Sequence, residues 1–423
     1  MLFRSDARGA DAWRDVNLAC VEMLRAREGE RGVAERIGRH LVAAGQRELG
    51  WAPLLAGARQ RLETSDYREA GQLLQQIHAI LEQLEAPEDD ERWGQHALAQ
   101  LRVLIGLGDF EQADRLAARA AERARRHRWA ELYPRALRYQ AMTLQKQGGL
   151  GLAETVLYRA QMEAVRAGDR EEEARCGLHL STVARLLGEP DRALEAAEQG
   201  GMLFEALQDR HGMADCLAAQ GNAHLAAGRL DQSVTYLREA LALFEEIGNQ
   251  FGIASCRNSL AEILRGRGEL DGAEREYRRA QVQCERMGSP ERIVPLLNRG
   301  LIQLELERFP EARSLLEVGL QVARTQERLF LGYFHTALLP CLAHAGDWAG
   351  WDRHAARAAE CIAESGAVDR DLARPAQQAG DLATAAGQDE RARAAYRIAR
   401  AQWLALGEED LRASVDSRLS RDG

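Results

Sequence analysis

A short turn signature, Gly-x-(Leu/Phe)-(Asp/Glu)-x-(Ala/Ser), returns about every forty residues along this 423-residue chain. It reads Gly108-Asp-Phe-Glu-Gln-Ala113, Gly228-Arg-Leu-Asp-Gln-Ser233 and Gly268-Glu-Leu-Asp-Gly-Ala273. Looser copies start at Ser65, Gly148, Gly188, Glu307, Gly346 and Gly387, so successive starts lie 39 to 43 residues apart. A fixed period of this size marks an array of equal supersecondary units, because no such unit buries its apolar face alone. Within the unit Gly212–Gly248, residues 213–227 read as a first helix that Gly228 ends by taking the left-handed conformation. Asp231 is placed to cap a second helix running to Ile247, whose Leu237, Ala240, Leu241 and Phe244 form one apolar stripe. The small residues Ala113, Ala153, Ala193, Ser233, Ala273, Ala312 and Ala392 recur where the second helix must approach the first closely.

Composition agrees with long amphipathic helices, since Ala, Leu, Arg, Glu and Gln dominate and aromatics make up 5%. With 56 basic and 65 acidic residues, the net charge of −9 argues against a nucleic-acid partner. The most basic stretch, residues 102–138, holds nine arginines against five acids. It lacks interleaved stacking aromatics beyond Trp129 and reads as a solvated convex face. No apolar run reaches the ~18 residues of a membrane span, and the N-terminus has no signal-peptide core. Seven cysteines without paired short spacing fit a reducing, cytoplasmic setting. Cys176, Cys216 and Cys256 recur at the repeat period and read as small core residues. Lys146 is the only lysine and follows no glycine-rich loop, which removes P-loop, kinase and Schiff-base chemistry.

Prolines test the scheme. Pro134, Pro290 and Pro375 are expected at first-helix starts and Pro310 at a second-helix start. Pro190 is expected in a turn, Pro87 in a loop and Pro53 near a helix start. Pro295 and Pro340 fit less well, and Pro340 falls inside the helix read over residues 331–345. Leu411, Val415 and Leu419 put one stripe on a terminal capping helix.

Gly221-Asn-Ala-His224 before Gly228-Arg-Leu-Asp-Gln-Ser233, then Leu237 and Ala240, resembles the tetratricopeptide repeat (TPR). Arg36-Ile-Gly-Arg-His-Leu-Val-Ala-Ala-Gly45, with Leu54-Leu-Ala-Gly-Ala58 and Asp66-Tyr-Arg-Glu-Ala70, is similar to the junction of helical sensor arms. Such arms occur in MalT-type activators, signal-transduction ATPases and some serine/threonine kinases. The resemblance implies an all-α, TPR-like right-handed α-solenoid of eight to nine helix pairs. It also implies three segments: junction-like helices over 1–47, the array over 48–405 and a capping helix and tail over 406–423.

In such an array the first helices line the concave face. Alignment on the turn glycine places Arg135, Arg138, Gln145, Arg175, Arg185, Asp215, Asn222, Asn258, Glu262 and Arg265 there. Forked guanidinium and amide hydrogen bonds from that face would hold a peptide, a carboxylate or a phosphorylated ligand. Each residue alone also reads as an ordinary solvated helix-face residue. Cys341, His344 and His354 are the best metal constellation, but they fall short of the four donors zinc takes. The aromatic cluster Phe330, Tyr333, Phe334, Trp348 and Trp351 reads as core filling.

The expected function is therefore a non-catalytic, cofactor-free scaffold or sensor arm of a bacterial regulatory system. It would bind a protein or peptide, with an ATPase or kinase as the effector. The alternative is a small-molecule inducer sensor that controls self-association. An enzyme ranks third, because no nucleophile triad, phosphate loop or paired-carboxylate cleft stands out.

Overall fold

A computed structural model describes residues 7–421, apart from 28, 65, 148, 287–291, 327–329 and 366. Every element among them is helical, and the chain divides into two compact units, Met1–Arg229 and Leu230–Gly423. The first holds α1 (Ala7–Arg25), α2 (Val33–Ala43), α3 (Arg47–Glu63), α4 (Tyr67–Gln83), α5 (Glu91–Gly106) and α6 (Phe110–His127). It continues with α7 (Leu132–Lys146), α8 (Leu150–Ala167), α9 (Arg170–Leu186), α10 (Pro190–Ala206) and α11 (Arg210–Ala226). The second holds α12 (Leu230–Ile247), α13 (Gln250–Gly266), α14 (Leu270–Arg286), α15 (Ile293–Glu305) and α16 (Phe309–Gln326). Beyond these lie α17 (Leu331–His344), α18 (Trp348–Ser365), α19 (Arg370–Ala385), α20 (Asp389–Ala405) and α21 (Glu409–Arg421). Each helix from α3 to α10, and from α13 to α17, packs antiparallel on the next in sequence, as α19 does on α20, whereas α19 packs on α17 and not on α18; each unit is thus an α-solenoid of stacked pairs.

The turns explain the period. At Gly108 the backbone takes φ 78°, Gly108 N donates to Ile105 O at 3.1 Å and Asp109 N donates to Leu104 O at 2.9 Å. These paired bonds satisfy carbonyls that the helix end leaves open. The same pair of bonds closes α9 at Gly188 and α11 at Gly228. Glu307 occupies the equivalent position with φ 54°, which strains a non-glycine residue by ~1 kcal/mol and explains why that copy looks loose in the sequence. Side-chain caps follow: Asp109 accepts from Gln112 N, Asp169 from Glu172 N and Asn249 from Gly252 N. Asp231 differs from expectation, since α12 already starts at Leu230 and leaves Asp231 in its first turn. There it favours the helix through the dipole instead of capping it.

All seven small residues of the repeat are fully buried, which is the close approach their spacing requires. A second contact locks each pair to the next. A Cβ on Gly212 would lie 2.2 Å from the Phe204 ring, and one on Gly252 would lie 2.4 Å from the Phe244 ring. Cys176, Cys216 and Cys256 are buried in the core, as their period suggested. Phe334 and Trp351 are buried in one cluster with Tyr333 and Trp348 packed against it.

The prolines required correction. Pro190 opens α10 instead of lying in a turn, and Pro295 sits in the first turn of α15, where it costs little. Pro53 and Pro375 fall inside α3 and α19, deeper than expected, while α17 does continue through Pro340. Burial of the surrounding apolar stripe offsets the lost hydrogen bond in each. The turn copies at Ser65 and Gly148, and Pro290, lie outside the described residues. In α21, Val415 is buried and Leu419 packs on the core, but Leu411 stays 38% exposed.

Candidate functional site

In the Met1–Arg229 unit the odd-numbered helices α3, α5, α7, α9 and α11 touch in succession, edge to edge. Helices that converge on one side line the concave face, so outward positions on this layer are where a ligand has access.

Six residues before its turn, α3 carries Arg59 and α5 carries Arg102; thirteen before its turn, α7 carries Arg135. Partial desolvation, and then repulsion from Arg135 and Arg102, lower the pKa of Arg59. Arg135 donates from Nη2 to Asp169 Oδ2 at 2.8 Å. Arg59 and Arg102 have no carboxylate partner among the described residues. Gathering like charges without counter-ions costs free energy that folding alone does not recover.

One step along the layer the chemistry changes. Arg138 is 8% exposed and holds Glu172, itself 2% exposed, through Nε–Oε1 at 2.6 Å and Nη2–Oε2 at 3.2 Å. Its guanidinium lies 4.7 Å from the Tyr139 ring. Burial alone would depress the Arg138 pKa, but Glu172 reverses the sign and holds it charged. This forked pair ties α7 to α9. Arg138, expected to face a ligand, therefore serves the core between two helices, because its register points into the α7–α9 seam. Arg175 bonds Glu171 within its own helix, with Asp209 at 3.9 Å. Burial, with Arg138 and Arg175 nearby, depresses His179 to about 3 and keeps it neutral. Burial pushes Asp215 up to about 6, against the opposing field of Arg175. Gln145, Arg185 and Asn222 are half-buried on this layer.

The remaining expected positions belong to the Leu230–Gly423 unit. Arg265 is engaged internally: Nη1 and Nη2 grip Asp371 at 3.1 and 2.7 Å, and Nε bonds Glu305 at 2.8 Å. That grip draws α19 onto α13 and α15. Asn258 accepts from Asn298 at 3.2 Å, and Glu262 is exposed. Burial raises the pKa of Asp369, beside Asp371, while Asp369 caps α19 and accepts from the Tyr333 hydroxyl.

The metal constellation does not form. The Cys341 thiol is buried and turned to Ala337 O, the His344 ring stacks on Phe309, and His354 Nδ1 meets His335 Nδ1 at 3.0 Å. The three side chains answer to different neighbours. Among the described residues no group of three metal-ligating side chains gathers. The basic helix α6 is a solvated face: Arg115 and Arg125 pair with Glu111 and Glu122, and Arg123 lies over Trp93 and Trp129. No described helix is long and apolar enough to cross a membrane.

Sequence reasoning missed both Arg59 and Arg102, although the signal for Arg59 matches that for Arg102 and for the expected Asn222. Arg59 stands six residues before Ser65, as Arg102 stands before Gly108 and Asn222 before Gly228.

A tetratricopeptide repeat profile matches residues 213–281. Over those residues the sequence carries tetratricopeptide repeats. No curated protein matches. Among solved structures, the chain is similar to a Rap protein complexed with competence and sporulation factor. The TM-score is 0.61 at 15% identity, covering 86% of this chain and 99% of that one. It is also similar to NprR in complex with its cognate peptide NprX, with a TM-score of 0.53 at 14% identity, covering 82% and 95%. A third likeness is to a signal transduction ATPase with a tetratricopeptide repeat sensor from Pyrococcus horikoshii. Its TM-score is 0.53 at 14% identity, covering 84% of this chain and 53% of that one. At these identities the likeness establishes the fold: an all-α, TPR-like solenoid.

Proposed function

We propose that the inner face of the Met1–Arg229 unit binds an acidic peptide segment, and that the TPR chain is a non-catalytic regulatory scaffold or sensor of the bacterial cytoplasm. The observation that carries this reading is the pair Arg59 and Arg102, left without carboxylates among the described residues beside Arg135 on three adjoining helices. An acidic segment supplies the missing counter-charges, and guanidinium forks suit carboxylates. The reading gains support from the solved relatives, which include a Rap protein and an NprR each captured with a peptide or factor. An ATPase or kinase effector is the proposed recipient of the signal. The remaining exposed or half-buried inner positions, Gln145, Arg175, Arg185, Asp215 and Asn222, are proposed to line the path of the peptide.

The test is fluorescence-anisotropy titration with an Asp/Glu-rich peptide library against the wild type and Arg59→Glu/Arg102→Glu. We expect at least tenfold weaker binding in the double variant, with helicity retained by circular dichroism. Equal binding by both proteins would remove the site. Arg138→Glu is the wrong probe, because it breaks a buried ion pair.

A second reading, a small-molecule sensor, draws on one feature of the other unit: a cavity of about 330 Å³ framed by α13, α15, α19, α20 and α21. That volume lies within the ordinary range of ligand pockets.

A further inference from the structure

The cavity in the Leu230–Gly423 unit has a directional lining. Along α19, Arg374, Gln377, Gln378 and Asp381 form one stripe, since they are spaced by three, four and seven residues. The stripe begins with a cation, continues with two amides and ends with a carboxylate. Seven residues of helix advance about 10 Å. The rest of the lining is mainly apolar, with Leu301 and Leu304 of α15, Trp403 of α20 and Leu411 of α21, and its charged members Glu305 and Arg265 are paired with each other.

Gln377, Gln378 and Asp381 are each held in place yet keep one function unused, while Arg374 is loosely held. Gln377 accepts from Trp403 Nε1 at 3.1 Å, which fixes the amide and leaves its NH₂ to donate. Gln378 donates to Leu304 O at 3.1 Å, which leaves its oxygen to accept. Arg418 Nε and the Tyr396 hydroxyl both engage Asp381 Oδ1, at 2.8 and 2.7 Å, so Oδ2 is the oxygen left for a ligand. Arg374 makes only a loose contact with Glu305, at 3.8 Å, and its side chain is 58% exposed. The nearby Arg265 is fully occupied by Asp371 and Glu305, so Arg374 is the cation a ligand meets.

We infer that this cavity binds a short apolar peptide of about three residues with both termini free. Its C-terminal carboxylate meets Arg374, a backbone carbonyl accepts from Gln377, a backbone N–H donates to Gln378, and its ammonium group meets Asp381. The apolar side chains lie on Leu301, Leu304 and Leu411. Three extended residues span about 10 Å, which matches the advance of the stripe. A free amino acid reaches only one charged end, and a long peptide cannot place both termini inside. The inference rests on the small-molecule reading and is independent of the arginine face in the other unit.

The probe is alanyl-leucyl-alanine, titrated calorimetrically into the full chain beside its C-amidated form, its N-acetylated form and free leucine. Saturable binding of the unblocked tripeptide is expected, with at least tenfold loss on blocking either end. Arg374→Glu is expected to abolish the preference for a free carboxylate. Leu411→Trp, at a half-exposed position, is expected to fill the cavity and remove binding without loss of helicity. Arg59→Glu/Arg102→Glu is expected to leave tripeptide binding unchanged. Equal binding of blocked and unblocked forms, tighter binding of leucine, or no binding at millimolar concentration would each overturn the inference. Thermal stabilisation by another metabolite alongside a null tripeptide result would sink the tripeptide and keep the small-molecule reading.

Discussion

In the Met1–Arg229 unit, Arg59 and Arg102 stand on neighbouring inner helices with no carboxylate among the described residues. In the Leu230–Gly423 unit, Arg265 of the inner helix α13 is gripped on three nitrogens by Asp371 and Glu305. The residue type is the same and each stands in the last two turns of a first helix, yet the outcomes are opposite. An arginine that meets an acid of its own unit becomes a tether between helices. One that meets no acid among the described residues keeps its hydrogen-bonding capacity for something outside the chain. The contrast between Arg138 and Arg102 makes the same point within a single unit.

The contrast can be broken most sharply at Arg138. Arg138→Ala strands Glu172 in a buried site, and we expect a loss of about 3–5 kcal/mol in urea unfolding. A loss under 1 kcal/mol would mean that the pair is not a structural tie. Arg265→Ala is expected to cost less, about 2–3 kcal/mol, because Asp371 and Glu305 keep partial contact with water. Hydrogen exchange should then rise in α19 before it rises in α15. Gly252→Ala forces a methyl against the Phe244 ring and should cost about 1–3 kcal/mol. Gly272→Ala, where the nearest atom to an added Cβ lies at 3.4 Å, should be nearly neutral.

Smaller effects sharpen the comparison. Asp215 is held above its ordinary 3.8, at about 6, by burial. Its folded form therefore binds the proton more tightly than the unfolded chain does. Its contribution is most favourable below about pH 4 and declines as pH rises from 4 to 6. Asp215→Asn should be more stable than the wild type above pH 6, by on the order of 1 kcal/mol, and equal to it near pH 4. Thermal melts across that range read the difference directly. Smallest of all, Arg59→Gln should leave stability within about 0.5 kcal/mol of the wild type or raise it, since it removes a repelled charge. A clear destabilisation would show that Arg59 has a structural partner and would count against the proposed face.

Much of the architecture was legible in the chain. The turn glycines, the column of small residues and the stripe Leu237, Ala240, Phe244 all report local geometry, which the sequence encodes within one or two turns of helix. Prolines were harder to place. Pro295 and Pro375 are read by their distance from helix starts, and those starts shift by a few residues with capping that the sequence marks weakly. The candidate site was legible only as a register. The alignment on turn glycines put Arg135, Arg138 and Arg175 on one layer, but it could not tell which of them would find an acid.

Taken by itself, the sequence determined the helix pairs, their period and the inner layer, because turn chemistry and apolar spacing act over short chain distances. Only the tertiary structure decided the fate of each charge. Glu172 reaches Arg138 from 34 residues away, and Asp371 reaches Arg265 from 106 residues away. The energy of an ion pair depends on separation in space and on exclusion of water, and neither quantity is carried by position along the chain.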